Sequence, residues 1–226
     1  MIFLPYRAII FDLDGTLLDT LEDLGLSVNA VLKEHGYPAH PLQAYRYFIG
    51  DGVEALVKRA LPPAAADKPG QAQLNELVEA AREEYRRRWA DHTRVYPEVP
   101  ELLDFLEERK IPKAIFSNKP HEFTVLTVQQ LLGPWHFEMV QGAVPGLPRK
   151  PDPAGVLAVA RKLEVEPRQV VYLGDSRIDM EAAAAAGMYP VGALWGFRDA
   201  AELREGGAKM LAQSPLQLTK LFAAAT

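Results

Sequence analysis

The sequence predicts an α/β fold: a parallel sheet flanked by helices and interrupted by one all-helical insertion. Three observations predict it. Three short apolar runs each end in polar residues: Ala8-Ile9-Ile10-Phe11 before Asp12, Ala114-Ile115-Phe116 before Ser117, and Val170-Val171-Tyr172-Leu173 before Gly174. Each is apolar throughout rather than alternating, as in a strand buried on both faces. From about Val95 onward strand and helix patterns alternate, the signature of βαβ units. Between Leu21 and Arg94 only helical stripes recur.

Met139-Val140 and Val191 to Trp195 are weaker strands of the same kind. Leu102, Leu103, Phe105 and Leu106 mark one helix, and Val156, Leu157, Val159, Ala160 and Leu163 another. Ile178 to Ala186 forms a third, stopped by Gly187, a residue suited to a left-handed C-terminal cap. In the insertion, Leu21, Leu24, Val28, Val31 and Leu32 share a helix face, with Thr20 and Asp23 expected to close a capping box. Val53, Leu56, Val57, Ala60 and Leu61 form a second stripe, ended by Pro62-Pro63. Leu74, Leu77, Val78, Ala81 and Tyr85 form a third, whose opposite face pairs Glu83 with Arg87 and Glu84 with Arg88. The expected division is 1–19 with 95–226 for a Rossmann-like parallel core, and 20–94 for the helical insertion. The tail Ala223–Ala225 is expected to fray.

Composition narrows the function. The chain has 226 residues, 48% of them hydrophobic, no cysteine and a net charge of −5. Without cysteine there is no disulfide scaffold, thiolate zinc site or cysteine nucleophile. No apolar run approaches the ~20 residues of a membrane helix. Met1 to Tyr6 lacks a basic segment leading into a long apolar one, so a soluble cytoplasmic protein is expected. The acidic balance argues against a nucleic-acid partner. If the substrate is an anion, the positive charge that meets it must be local.

The chemistry-bearing residues follow the strands. In Asp12-Leu13-Asp14-Gly15-Thr16, the two acids point the same way, about 6–7 Å apart, if the chain is extended. They would face the crevice beyond the carboxyl end of the sheet, where open α/β folds bind ligands. Two carboxylates so close favour a hard cation between them, such as Mg²⁺. Ser117-Asn118-Lys119-Pro120 follows the second run with a hydroxyl, an amide and backbone N–H groups that can cradle phosphate. Pro145 to Pro153 holds four prolines in nine residues. That rigidity fixes Lys150 in one place, where it can neutralise an aspartate and a phosphoryl oxygen. Gly174-Asp175-Ser176-Arg177-Ile178-Asp179 sets Asp175 at a strand tip with Asp179 one helical turn on. Each group also has a plain structural reading as a turn, cap or surface lysine. Together they supply nucleophile, acid/base, hydroxyl, lysine and metal carboxylates, the set phosphoryl transfer needs. No dinucleotide or P-loop glycine pattern is present. His35, His40, His92, His121 and His136 show no paired ligand spacing, and His121 is expected at a surface helix position.

In these motifs, and in their order, the chain resembles the haloacid dehalogenase superfamily of phosphotransferases. Within it the chain is similar to the phosphoglycolate phosphatase group, through Ile49-Gly-Asp-Gly52, Ser117-Asn-Lys-Pro120, Arg149-Lys-Pro-Asp-Pro153, Gly174-Asp-Ser176 and Trp195-Gly-Phe197. One departure is Gln141-Gly142-Ala143, where that group usually reads Gly-Gly-Asp. The resemblance implies that Asp12 is the nucleophile and Asp14 the acid/base. It implies that Ser117, Asn118 and Lys150 bind phosphate. It also implies that Gly50, Asp51 and Gly52 form a specificity loop in a helical cap. Mg²⁺ would be held by Asp12, the backbone carbonyl of Asp14, Asp175 and Asp179. The implied partner is a small phosphorylated metabolite, with no nucleic acid or membrane and a monomer or homodimer. Two alternatives remain: a related phosphohydrolase acting on a sugar phosphate or pyrophosphate, and a phospho-accepting signalling domain.

Overall fold

A computed structural model of the protein describes residues 6–63 and 70–222. The tail Ala223–Ala225 and all of Met1 to Tyr6 except Tyr6 lie outside them. The chain divides into two compact units, one running to Leu18 and resuming at Val95, the other Asp19–Arg94.

The first unit is built on six parallel strands. They are β1 (Ala8–Phe11), β4 (Lys113–Pro120), β5 (Met139–Ala143), β6 (Val170–Gly174), β7 (Tyr189–Ala193) and β8 (Met210–Ala212), in the order β5-β4-β1-β6-β7-β8. The short segments β2 (Leu18–Asp19) and β3 (Arg94–Val95) mark the two crossings between units. Alternation along β1 sends Ile9 and Phe11 to one face and Ala8 and Ile10 to the other, and all four are buried. On the Phe11 face the helix Val99–Glu108 contributes Leu102, Leu103 and Leu106. Each is fully buried, a gain of about 1.5–3 kcal/mol per side chain. The Ile10 face is covered by Ala154–Lys162, through Val156, Val159 and Ala160, and by Arg177–Ala185, through Ala182 and Ala183. Apolar cover on both sides is why the three runs carry no polar alternation.

The helix Arg177–Ala185 ends as the sequence implies. Gly187 adopts φ of 73°, and the N–H groups of Gly187 and Met188 return to the carbonyls of Ala184 and Ala183 at 3.0 and 2.9 Å. This double closure satisfies carbonyls that a helix end leaves open. One strand differs from expectation. Ser117-Asn118-Lys119-Pro120 is not a loop after the strand but part of β4, with a register shift against β5 between Phe116 and Pro120.

The second unit holds helices Leu21–Glu34, Tyr45–Phe48, Val53–Ala60 and Gln71–Arg88. The expected pairs Glu83–Arg87 and Glu84–Arg88 form on the last of these. The expected capping box does not. Thr20 makes no side-chain cap bond, and its buried Oγ1 has no hydrogen-bond partner. Asp23 accepts instead from the N–H and Oγ1 of Thr93, at 2.8 and 2.7 Å, and from the N–H of His92 at 3.1 Å. Distant chain therefore supplies this buried carboxylate with more donors than the helix start has to offer. Among the described residues no helix is long and apolar enough to cross a membrane.

Candidate active site

The sheet order explains why motifs scattered over the chain meet. β1 pairs with β4 on one side and β6 on the other, with Phe11 level with Ile115 and with Leu173. The tips of all three strands thus end together, at the point where strand order reverses.

Beyond β1 the chain turns at once. The Leu13 carbonyl accepts from the N–H groups of Thr16, Leu17 and Leu18 at 3.2, 3.0 and 3.0 Å, and Gly15 takes φ of 81°. A β-carbon at Gly15 would collide with the Asp175 carboxylate. Asp12 and Asp14 leave this turn toward different lysines. Lys150 Nζ lies 2.8 Å from Asp12 Oδ1 and 2.6 Å from Asp179 Oδ1. Lys119 Nζ donates to Asp14 Oδ1 at 2.9 Å. Both lysines are buried.

Each partner is itself held. The Asn118 side-chain amide donates to the Lys150 carbonyl at 3.1 Å and its oxygen accepts from the Lys150 N–H at 3.0 Å. Asn118 thereby clasps the proline-rich loop onto β4, and the Lys150–Pro151 peptide within that loop is cis. Ser117 is buried beside it, its Oγ accepting the Lys119 N–H at 3.3 Å. Asp179 Oδ2 accepts from the Ser176 N–H at 3.1 Å and from Ser176 Oγ at 2.5 Å. Asp175 Oδ2 accepts the Phe197 N–H at 2.7 Å. A β-carbon on Gly196 would strike both Asp175 and the Gly15 carbonyl, and Trp195 Nε1 donates to the Thr16 carbonyl at 2.9 Å. The Trp195-Gly196-Phe197 stretch is therefore the wall that fixes Asp175.

The charge balance is uneven. Asp12, Asp175 and Asp179 each offer an oxygen within 4.8 Å of the others, and all three are buried. Burial pushes the Asp12 carboxyl up to about 6 against the pull of Lys150, with Asp179 adding to the rise. Burial, then the charges of Asp179 and Asp12, pushes Asp175 well above the usual carboxylate range. Burial alone would lower Lys150, yet Asp12 and Asp179 together hold it well above its ordinary value. One ammonium thus stands among three buried acids, two of them, Asp12 and Asp175, held above the ordinary carboxylate range. Their hard oxygen donors fit a divalent cation, which would remove that deficit.

Several placements were not foreseen. The sequence motifs assign Lys119 no role of its own. Two residues along an extended strand share a side, so Ser117 already pointed Lys119 into the site. Tyr172, read only as a strand residue, donates its hydroxyl to the Phe116 carbonyl at 3.2 Å and lies 3.4 Å from Asp179 Oδ1. His121 opens the helix His121–Leu131 as a half-buried residue, its Nδ1 accepting the Gly142 N–H at 3.2 Å. Gly142 packs so closely under Lys119, His121 and Thr124 that a β-carbon has no room. Gly50, Asp51 and Gly52 lie in the helical unit. There the glycines take φ of 132° and 92°, and Asp51 pairs with Arg59.

Residues 9–193 match the family model of the haloacid dehalogenase-like hydrolases. A phosphoglycolate phosphatase of Nitrosospira multiformis is 33% identical over 221 residues, covering 97% of this chain and 96% of that protein. One of Pseudomonas putida is 36% identical over 195 residues, 84% and 70% of the two chains. The crystal structure of a predicted phosphoglycolate phosphatase from Haemophilus somnus superposes with a TM-score of 0.89 at 26% identity, covering 97% of this chain and 99% of that one. The match runs through all three strand tips and the turn after β1, and the chain belongs to the haloacid dehalogenase-like hydrolases.

Proposed function

We propose that the protein is a Mg²⁺-dependent phosphatase that hydrolyses 2-phosphoglycolate to glycolate and phosphate through an aspartyl-phosphate on Asp12. The observation that carries this reading is the division of the Asp-x-Asp pair, one acid on Lys150 and the other on Lys119. Two neighbouring carboxylates in different environments suit a nucleophile and an acid/base.

In the first half-reaction an Asp12 oxygen attacks phosphorus while the bond from phosphorus to the alcohol oxygen breaks. Asp14, protonated, passes its proton to the departing oxygen, giving glycolate. In the second, Asp14 takes a proton from water, the water oxygen bonds phosphorus, and the bond from phosphorus to Asp12 breaks. Orthophosphate leaves and Asp12 is restored. Lys150 and Ser117 hold phosphoryl oxygens, and Asn118 acts through its clasp on Lys150. Asp12, Asp175 and the Asp14 carbonyl would hold Mg²⁺, with Asp179 in support; bound there, it neutralises phosphoryl charge. Gly50, Asp51 and Gly52 are assigned to substrate selection from the helical unit. The partner class is a small phosphorylated metabolite.

The relatives named phosphoglycolate phosphatase support the substrate. A second reading rests on Ala143, which stands where the resemblance expects an acid: hydrolysis of a sugar phosphate or pyrophosphate. Phosphate release measured with Mg²⁺ from 2-phosphoglycolate, sugar phosphates and pyrophosphate separates the two. The reading expects the highest kcat/KM on 2-phosphoglycolate and silence in EDTA. A clear preference for another ester, or full activity in EDTA, contradicts it.

A further inference from the structure

We propose that Lys119 is a specificity-determining residue that selects phosphate esters whose alcohol carries a carboxylate. The proposal rests on the hydrolase reading above and deepens it. Its ground is the separation of the two buried ammonium groups. Lys150 sits on Asp12 and Asp179, the nucleophile and its support, so its charge serves the phosphoryl group. Lys119 sits 2.9 Å from Asp14, the residue that gives its proton to the departing oxygen. Its charge therefore lies on the leaving-group side.

The backbone keeps it there. Lys119 is in strand β4, its N–H bonded to Ser117 Oγ at 3.3 Å and its carbonyl accepting from Thr124 Oγ1 at 3.2 Å. Gly142 packs against that carbonyl with no room for a side chain. An ammonium so fixed, on the group that touches the leaving oxygen, reaches substituents one or two bonds from that oxygen. In 2-phosphoglycolate the carboxylate is attached to the carbon bearing that oxygen. Protonated for the first half-reaction, Asp14 offers Lys119 a hydrogen-bond acceptor but no charge; a substrate carboxylate beside it supplies the negative partner, and an ammonium has three N–H donors to share. A neutral alcohol at that place offers the ammonium no such charge.

The test compares kcat/KM for 2-phosphoglycolate and for 2-hydroxyethyl phosphate, whose alcohol is uncharged, in wild type, Lys119→Gln and Lys119→Arg. Gln keeps a donor for Asp14 but no charge. The expected result is a preference for 2-phosphoglycolate that falls about ten-fold or more in Lys119→Gln, one ion pair's worth, mainly through KM, and is largely kept in Lys119→Arg. Equal losses on both esters in Lys119→Gln would mean that Lys119 only orients Asp14, and overturn the proposal. If Lys119→Gln turns over neither ester, calorimetry with glycolate decides: about ten-fold weaker binding than wild type supports it, and unchanged affinity overturns it. A wild type that hydrolyses neither ester removes the underlying reading and the proposal with it. A wild type active on both, with a ratio indifferent to Lys119, removes the proposal alone.

Discussion

Lys150 Nζ lies 2.6 Å from Asp179 Oδ1, and neither side chain reaches solvent to any useful extent, at 1% and 0% exposure. A buried ion pair with one partner removed leaves an uncompensated charge, costing about 3–5 kcal/mol. Lys150→Met therefore lowers the denaturant midpoint of the core unit. It also lowers kcat by about 10²–10³-fold, the size of losing one preorganised charge at the reacting group. Equilibrium unfolding and steady-state kinetics on the same preparation check both.

Asp175 is held by packing and by a backbone donor. Gly196 stands against its β-carbon, and Phe197 N–H bonds its Oδ2 at 2.7 Å. Gly196→Ala forces the loop away from Asp175. The expected outcome is a weakened Mg²⁺ requirement curve, shifted about ten-fold or more to higher concentration. A destabilisation of about 1–3 kcal/mol accompanies it. Mg²⁺ titration of activity, with calorimetry of Mg²⁺ binding to the free protein, reads the shift.

The start of the helix Leu21–Glu34 gives a paired prediction. Asp23→Ala strands the Thr93 N–H and hydroxyl and the His92 N–H, and destabilises the helical unit by about 3 kcal/mol. Thr20→Val replaces a buried hydroxyl that has no hydrogen-bond partner with a methyl, and is neutral or mildly stabilising. Thermal unfolding of the two variants should separate them clearly. Were the capping box formed, the Thr20 change would cost stability as well.

Glu107 provides a pH signature outside the site. Its carboxylate accepts from Lys113 Nζ at 2.8 Å and from the His136 N–H at 2.7 Å, and these bonds, that of Lys113 first, hold its pKa below the usual glutamate range. A depressed pKa contributes stability that is present above the unfolded-state value and is lost as pH falls through the folded-state value. Glu107→Gln is therefore less stable than wild type at neutral pH, and the gap closes below about pH 4. Urea midpoints measured across that range show it.

The strand tips were legible because both determinants are local. Apolar runs buried on two faces need no polar alternation, and the polar residues that follow each run stand toward its carboxyl end. The positions of Asp12, Ser117 and Asp175 follow from that, although β4 continues through Ser117 to Pro120. The clasp of Asn118 on Lys150 and the wall that Phe197 builds against Asp175 were not legible. They depend on which strands become neighbours, and a hydrogen bond across 32 or 22 residues leaves no spacing signal. Thr20 with Asp23 shows the reverse. The local pattern of a capping box was present, and a partner 70 residues away outcompeted it. Lys119 lies between these cases. Its side of the strand was fixed by the two-residue offset from Ser117, but its partner emerged only with the turn that aims Asp14.

The most direct test of the central claim is acid-quenched mass spectrometry of enzyme mixed with 2-phosphoglycolate and Mg²⁺. The account predicts one phosphoryl group on the peptide containing Asp12, appearing within the first turnover and absent from Asp12→Asn, which is also inactive. A phosphoryl group on another residue, or full turnover by Asp12→Asn, would contradict it.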